Sequence, residues 1–524
     1  MTETAPFAYD AVFYPGVAFE QTHPDRLATI GTLFGMQPAP PARCRVLELG
    51  CGVGANLIPM GAQFPQSTFV GIDLSAPTIA QGREQVAALG LSNVELVAGD
   101  IMQVDAAFGQ FDYIIAHGVY SWVPQFVRDK IFAVYRECLA PQGIGFVSYN
   151  ARPGSHLRDL GRRMMQFHTR QIADPNAQVR QSRALIKFLA ETGNPDTVYG
   201  AALREIQTRV AEKTDEVLYH DDLDANARPF LFHEVAEAAE REGLQYLSES
   251  PIARSIFGAI PAFSRALVEQ VPAEQVVVRE QYLDLLIGRW FRETLFCRAD
   301  VPLRREINVQ TVSGLSVAGD FHADEAAPPL ATHASATFRS EAGDALEVEE
   351  PLIKAALGVL GAAWPRAIAF PELVRTAAAR LAAEGGGGPP PVRDVERLAA
   401  TLLRAYTAGS AHLHVEPPRL AERAGERPVA SLLARRLAAA SPVVTTLRHA
   451  TIRLDGVLHP FPLLVDGTRT VVDLAPHLER LLAAHAAANP DEAAPHVPAA
   501  SNAEAQDRVA QALASLARLG LLTE

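Results

Sequence analysis

The apolar positions fall first into a short continuous run, Arg45-Val-Leu-Glu-Leu, which breaks into alternating glycines and resumes as an apolar stretch from Leu57. That order predicts a buried strand, a tight loop and a helix. The same grammar returns as a strand over 68–73 with a helix over 76–89, then as a strand over 94–97 ahead of Gly99-Asp100. A strand over 113–116, a helix over 130–139 and a strand over 145–149 complete the first 150 residues. Strands alternating with helices predict an α/β domain, a parallel sheet covered on both faces.

From 152 to 213 the pattern is helical, in three stretches parted by Asp174-Pro175 and Asn194-Pro195. The sheet grammar resumes with an amphipathic helix over 232–243 and a strand over 244–248. A second helical insert, 252–288, precedes a last strand at 293–298, which predicts a seven-stranded sheet. The expected division is 1–151 for the cofactor-binding core, 152–214 for a helical insertion and 215–322 for a region completing the sheet. A linker is expected at 323–345 and an α+β winged-helix-like domain over 346–524. The winged helix is placed on three helices and a strand between 352 and 416, interrupted by the glycine and proline run at 385–391.

Composition narrows the classes. A chain of 524 residues exceeds one compact core, and 48% hydrophobic with 20% charged residues describes a globular protein. No apolar run reaches the ~18 residues of a spanning helix, so membrane insertion is not expected. The first residues lack the basic and apolar segments of a leader, which points to the cytoplasm. Cys44, Cys51, Cys138 and Cys297 are scattered, and neither disulfides nor a metal site is expected. A net charge of −13 disfavours nucleic acid and suits a cationic acceptor.

The candidate chemistry begins at Glu48-Leu-Gly50-Cys51-Gly52-Val-Gly54, where glycines let the backbone approach a ligand closely. An acidic residue ahead of G-x-G-x-G, in place of the pyrophosphate fingerprint, favours a nucleoside without phosphate. Asp73, 25 residues after Glu48, ends the second strand, where a carboxylate can accept from both ribose hydroxyls, with Leu74 beside it. Ser75 can cap the next helix, leaving Asp73 free for that role. Asp100 and Ile101 end the third strand at the same sheet edge, suited to an adenine amino group and ring.

These motifs resemble those of class I S-adenosylmethionine-dependent methyltransferases. The segment from Phe111 through His117, Tyr120 and Trp122 to Pro124 is similar to methyltransferases carrying a regulatory domain, among them the rickettsial protein-lysine methyltransferases. Further matches are Tyr219-His220-Asp-Asp through His233-Glu234, Gly243-Leu-Gln-Tyr-Leu, Glu280-Gln-Tyr-Leu-Asp284, 291–298 and Asp466-Gly-Thr-Arg469. The resemblance implies a Rossmann-like fold, S-adenosylmethionine as methyl donor, S-adenosylhomocysteine as product and no metal. It further implies a protein acceptor, lysines of an outer membrane protein in the rickettsial members, and allows a homodimer. His117 is expected beside the cofactor; Tyr120, Trp122 and Tyr14 are the catalytic candidates on the acceptor side. Pro229-Phe-Leu-Phe-His and Asn308-Val-Gln depart from the family pattern, which leaves the acceptor open. The competing readings are a small-molecule methyltransferase and a non-catalytic cofactor-binding scaffold; intact Glu48, Gly50, Gly52, Asp73 and Asp100 argue against the scaffold.

Overall fold

The computed structural model describes residues 16–224, 226–258, 260–325, 330–340, 343–385, 388–421, 423–488 and 501–523. Tyr14 lies outside them. Seven strands form one sheet: β1 (Arg45–Leu49), β2 (Thr68–Asp73), β3 (Val94–Ala98), β4 (Phe111–Ala116), β5 (Leu139–Asn150), β6 (Leu244–Glu249) and β7 (Phe291–Arg298). Their order is β3-β2-β1-β4-β5-β7-β6. The first five run parallel, and β7 is antiparallel to both of its neighbours.

Burial on both faces explains the unbroken apolar run of β1, in which Val46, Leu47 and Leu49 are fully enclosed. Strand order reverses at β1, which pairs with β2 on one side and β4 on the other. In open α/β sheets the crevice beyond the carboxyl ends at such a reversal is where ligands bind. The glycine loop, Asp73 and His117 all follow strands that open onto it.

Residues 156–222 form four helices, His156–Thr169, Pro175–Thr192, Val198–Glu212 and Asp215–Asp222, around Met165, Val179, Ile186, Ile206 and Leu218. The arginine run in this segment is partly internal. Arg158 pairs with Asp221 and Asp222 and reaches Asn150 at the end of β5, while Arg162 donates to the carbonyls of Asp224 and Ala227.

The C-terminal half holds two cores rather than one. The first gathers Val312, Val317, Leu357, Leu373, Leu402 and Leu413 beneath β8 (Ser316–Ala318), which pairs with Ile368–Ala369 and His412–His414. The polypeptide therefore leaves the catalytic sheet before 322: Val317 is fully buried in this second core. Part of the expected linker is also ordered, since Ala336–Arg339 pairs with Ala345–Val348. The second core, around Ala434, Phe461, Leu474, Val509 and Leu516, joins three helices, Leu432–Ala440, Val471–Ala488 and Asn502–Arg518, to an antiparallel hairpin of Val443–Thr445 and Thr451–Arg453.

Both modules are stitched to the start of the catalytic domain. Asp25 accepts from the Glu416 amide at 2.6 Å and pairs with His414 at 2.7 Å. The Thr451 hydroxyl accepts from the Ala18 amide at 3.1 Å and donates to its carbonyl at 2.9 Å. Among the described residues no helix is long and apolar enough to cross a membrane.

Candidate active site

The loop after β1 is anchored to the end of β2. The amides of Gly50 and Cys51 donate to the Ile72 carbonyl at 2.8 and 3.1 Å, and the Gly52 amide donates to Asp73 Oδ2 at 2.9 Å. Two glycines are required by their surroundings. Gly50 has φ +76°, and a Cβ there would lie 2.5 Å from a Val119 methyl; Gly52 has φ +54° and faces open space. The Cys51 side chain turns into the core, where an added Cβ on Gly71 would lie 2.6 Å from its sulfur. Its part in the loop is structural.

Asp73 Oδ1 accepts from the Ser75 amide at 2.9 Å, and Ser75 caps the following helix at Thr78. Each Asp73 oxygen thus holds one backbone donor and keeps lone-pair capacity for another. Leu74 stands 54% exposed beside it. Across the crevice Asp100 caps a short turn by accepting from the Met102 amide at 2.9 Å, with Ile101 packed at its shoulder.

Glu48 differs from both. Only 4% exposed, it accepts from Asn56 Nδ2 at 2.8 Å through Oε1, while Oε2 is buried with no partner among the described residues. Burial, with Asp73 adding to it and the Asn56 hydrogen bond opposing it, pushes its carboxyl up to about 8. A buried half-satisfied carboxyl beneath an open glycine loop is what a cationic or hydrogen-bonding ligand group would complete. Asn56 was not singled out by its sequence context, although a lone polar residue opening an apolar helix, Leu57–Gln63, is a usable signal.

Beyond β4, His117 lies under Phe19, with ring centroids 3.8 Å apart, and near Phe146 and Phe291 at 5.8 and 6.3 Å. Burial pulls the imidazole down to about 4, so it is neutral near pH 7. Trp122 is half-buried, with Nε1 unpartnered among the described residues. Tyr120 is a correction to the expected acceptor side. At 2% exposure its ring sits in the core with Phe230, Phe132 and Tyr149, at 5.2, 5.5 and 5.9 Å, where it packs rather than meets an acceptor.

Three family models match in succession: a methyltransferase domain over 46–143, a predicted methyltransferase regulatory domain over 214–298, and the C-terminal winged-helix domain of PKMT over 426–521. The uncharacterized protein RP028 of Rickettsia prowazekii is 37% identical over 246 residues, 47% of this chain and 98% of that protein. The chain belongs to the class I methyltransferases with a regulatory domain. RP789 of the same organism is 38% identical over 311 residues, 59% of this chain and 56% of RP789, so just over half of that relative is spanned. The structure of PKMT2 from Rickettsia typhi, solved in complex with AdoHcy, matches with a TM-score of 0.82 and 26% identity across 97% of this chain and 99% of that one.

In this methyltransferase the winged helix lies at 426–521, within the second C-terminal core, and not on the 352–416 helices expected to form it. S-adenosylmethionine is the cofactor of the class. The carboxyls of Glu48 and Asp73 and the open face of Gly52 fit its amino end, its ribose and its close approach.

Proposed function

We propose that this chain transfers a methyl group from S-adenosylmethionine to lysine side chains of a protein acceptor, an outer membrane protein being the first candidate. The crevice after β1 carries the reading: a half-satisfied buried carboxyl, a ribose-suited aspartate and an open glycine meet at the switch point of the sheet. The protein half of the proposal is supported by the near full-length match to PKMT2, winged helix included.

When bound, the cofactor supplies a methyl group activated by a sulfonium. Asp73 would take the ribose hydroxyls, Asp100 the adenine amino group, and Glu48 the cationic amino end. Phe19 over His117 keeps water from the reacting edge. The neutral imidazole adds no positive charge beside the sulfonium, and ring faces stabilise such a cation by roughly 0.5–2 kcal/mol. A lysine of pKa ~10.4 must lose its proton before it can attack, and desolvation beside Trp122 and the rings around His117 favours the neutral amine. Positioning then supplies most of the acceleration.

Calorimetric binding of S-adenosylhomocysteine, followed by radiolabelled methyl transfer to outer-membrane and cytosolic protein fractions, tests both halves. A labelled protein band that yields methyl-lysine on hydrolysis is expected. Label confined to small molecules would overturn the protein acceptor, and absence of binding would overturn the whole reading.

A further inference from the structure

Glu48 is joined to the winged-helix domain by an unbroken buried chain. Asn56 Nδ2 donates to Glu48 Oε1 at 2.8 Å and to Thr22 Oγ1 at 3.0 Å. Asn56 Oδ1 accepts from the Phe19 amide at 3.0 Å and from His449 Nε2 at 2.9 Å, 393 residues along the chain. Glu48, Asn56 and His449 are 4, 3 and 1% exposed, so water cannot substitute for these bonds. The network assigns the roles: an amide oxygen can only accept, so His449 is the Nε2–H tautomer.

His449 is also conformationally unusual. It is the only non-glycine among the described residues with positive φ, at +62°, a conformation that costs an ordinary side chain and persists only where the surroundings enforce it. Its hairpin supplies the enforcement. The His449 amide donates to the Thr446 carbonyl at 3.0 Å, and Thr446 Oγ1 accepts from the amides of Arg448 and Ala450, each at 3.2 Å. The same hairpin holds Ala18 through Thr451, one residue before the Phe19 ring that covers His117.

We propose that His449 is a positioning residue for cofactor capture: it fixes the Asn56 amide, and so orients Glu48 and the Phe19 cover, making full affinity depend on a docked winged-helix domain. The proposal rests on the reading that Glu48 faces the cofactor. Two N–H donors on Oδ1 prevent the amide from flipping and presenting oxygen to the Glu48 carboxyl. Linkage is reciprocal, so bound cofactor tightens the hairpin against the catalytic domain.

The test is S-adenosylhomocysteine calorimetry on full-length variants. His449→Gly keeps the backbone conformation without strain and removes only the imidazole. We expect its Kd to rise about tenfold, the worth of one buried hydrogen bond. His449→Asn tolerates the same backbone but ends short of Asn56, and is expected to weaken binding equally. His449→Gln, which returns an N–H at similar reach, is expected to recover most of the affinity. In Asn56→Ala the His449→Gly change should cost nothing further, because the two act in series. Hydrogen exchange across 443–453 should slow when S-adenosylhomocysteine is added to the wild type. A folded His449→Gly chain binding within twofold of wild type, or additive effects of the pair, would overturn the proposal. Failure of the wild type to bind would instead bring down the cofactor reading, and the positioning role with it.

Discussion

Two groups of buried carboxyls lie in the same domain, one closed and one open. Around Arg292, itself fully buried, the guanidinium contacts Glu249, Glu280 and Asp284 at 2.5, 2.9 and 2.8 Å and stacks 3.8 Å from the Phe232 ring. Every carboxylate oxygen there has a donor: the Glu293 amide serves the Glu249 oxygen, and the Tyr246 hydroxyl and Ile256 amide the Glu280 oxygen, that Arg292 does not reach, while Thr294 and Arg289 add second donors to oxygens it does. Among the described residues Glu48 has no cation beside it and one oxygen without a partner. Completed charge holds β6, β7 and the helix Val276–Ile287 in place; incomplete charge marks where a ligand belongs.

The largest effect is expected from breaking the closed group. Arg292→Met would leave buried Glu249 and Glu280 without a cation and cost about 3–5 kcal/mol, read by urea denaturation. A loss below about 1 kcal/mol would mean that the network is not the anchor of the strand pair. Next comes Asp73→Ala, which removes the Gly52 anchor together with the ribose acceptor. It should weaken S-adenosylhomocysteine at least ~30-fold, in line with about 2 kcal/mol for a hydrogen bond to a charged group, while the fold persists. Normal binding by this variant would displace the cofactor from the β2 edge.

The smallest and most discriminating test is Glu48→Gln followed across pH. The Glu48 carboxyl titrates near 4.5 unfolded and about 8 folded, so between those values the folded state holds the extra proton. Stability then falls as pH rises from about 5 to 8, and glutamine should remove that part of the slope; Glu293, pushed up to about 7, contributes to both proteins alike. Binding of a cationic amino end ionises Glu48, releases a proton, and strengthens as pH rises from 6 to 8 in the wild type only. Calorimetry in buffers of different ionisation enthalpy reads that proton directly, and proton uptake would contradict the assignment.

Local pattern carried much of this architecture. The strands of the sheet are apolar runs between glycines, and Glu48, Asp73 and Asp100 sit at fixed offsets from strand ends, so spacing alone brings them to one edge. Tyr120 misleads because strand periodicity ends at Ala116, and nothing nearby says that Phe230 will arrive to enclose it. The expected boundary at 322 overshoots the sheet because the three-residue strand Ser316–Ala318 has too little alternation to identify its partners. Phe19 and His449 are not legible for another reason: their roles exist only through contacts between segments far apart in sequence, and a histidine in a polar turn has no local mark of its backbone conformation.

The bond between Asn56 and His449 also sets an order in time. At roughly 5–20 residues per second, the ribosome needs about 20–80 s to travel the 393 residues that separate them. The sheet can form during that interval, with Glu48 already buried in it, while the donor that fixes Asn56 has yet to be made. Until residue 449 has been made the nascent protein therefore has a glycine loop without its distant brace, and on the positioning role proposed for His449 full affinity for the methyl donor is acquired only with the winged-helix domain rather than with the domain that carries the motifs.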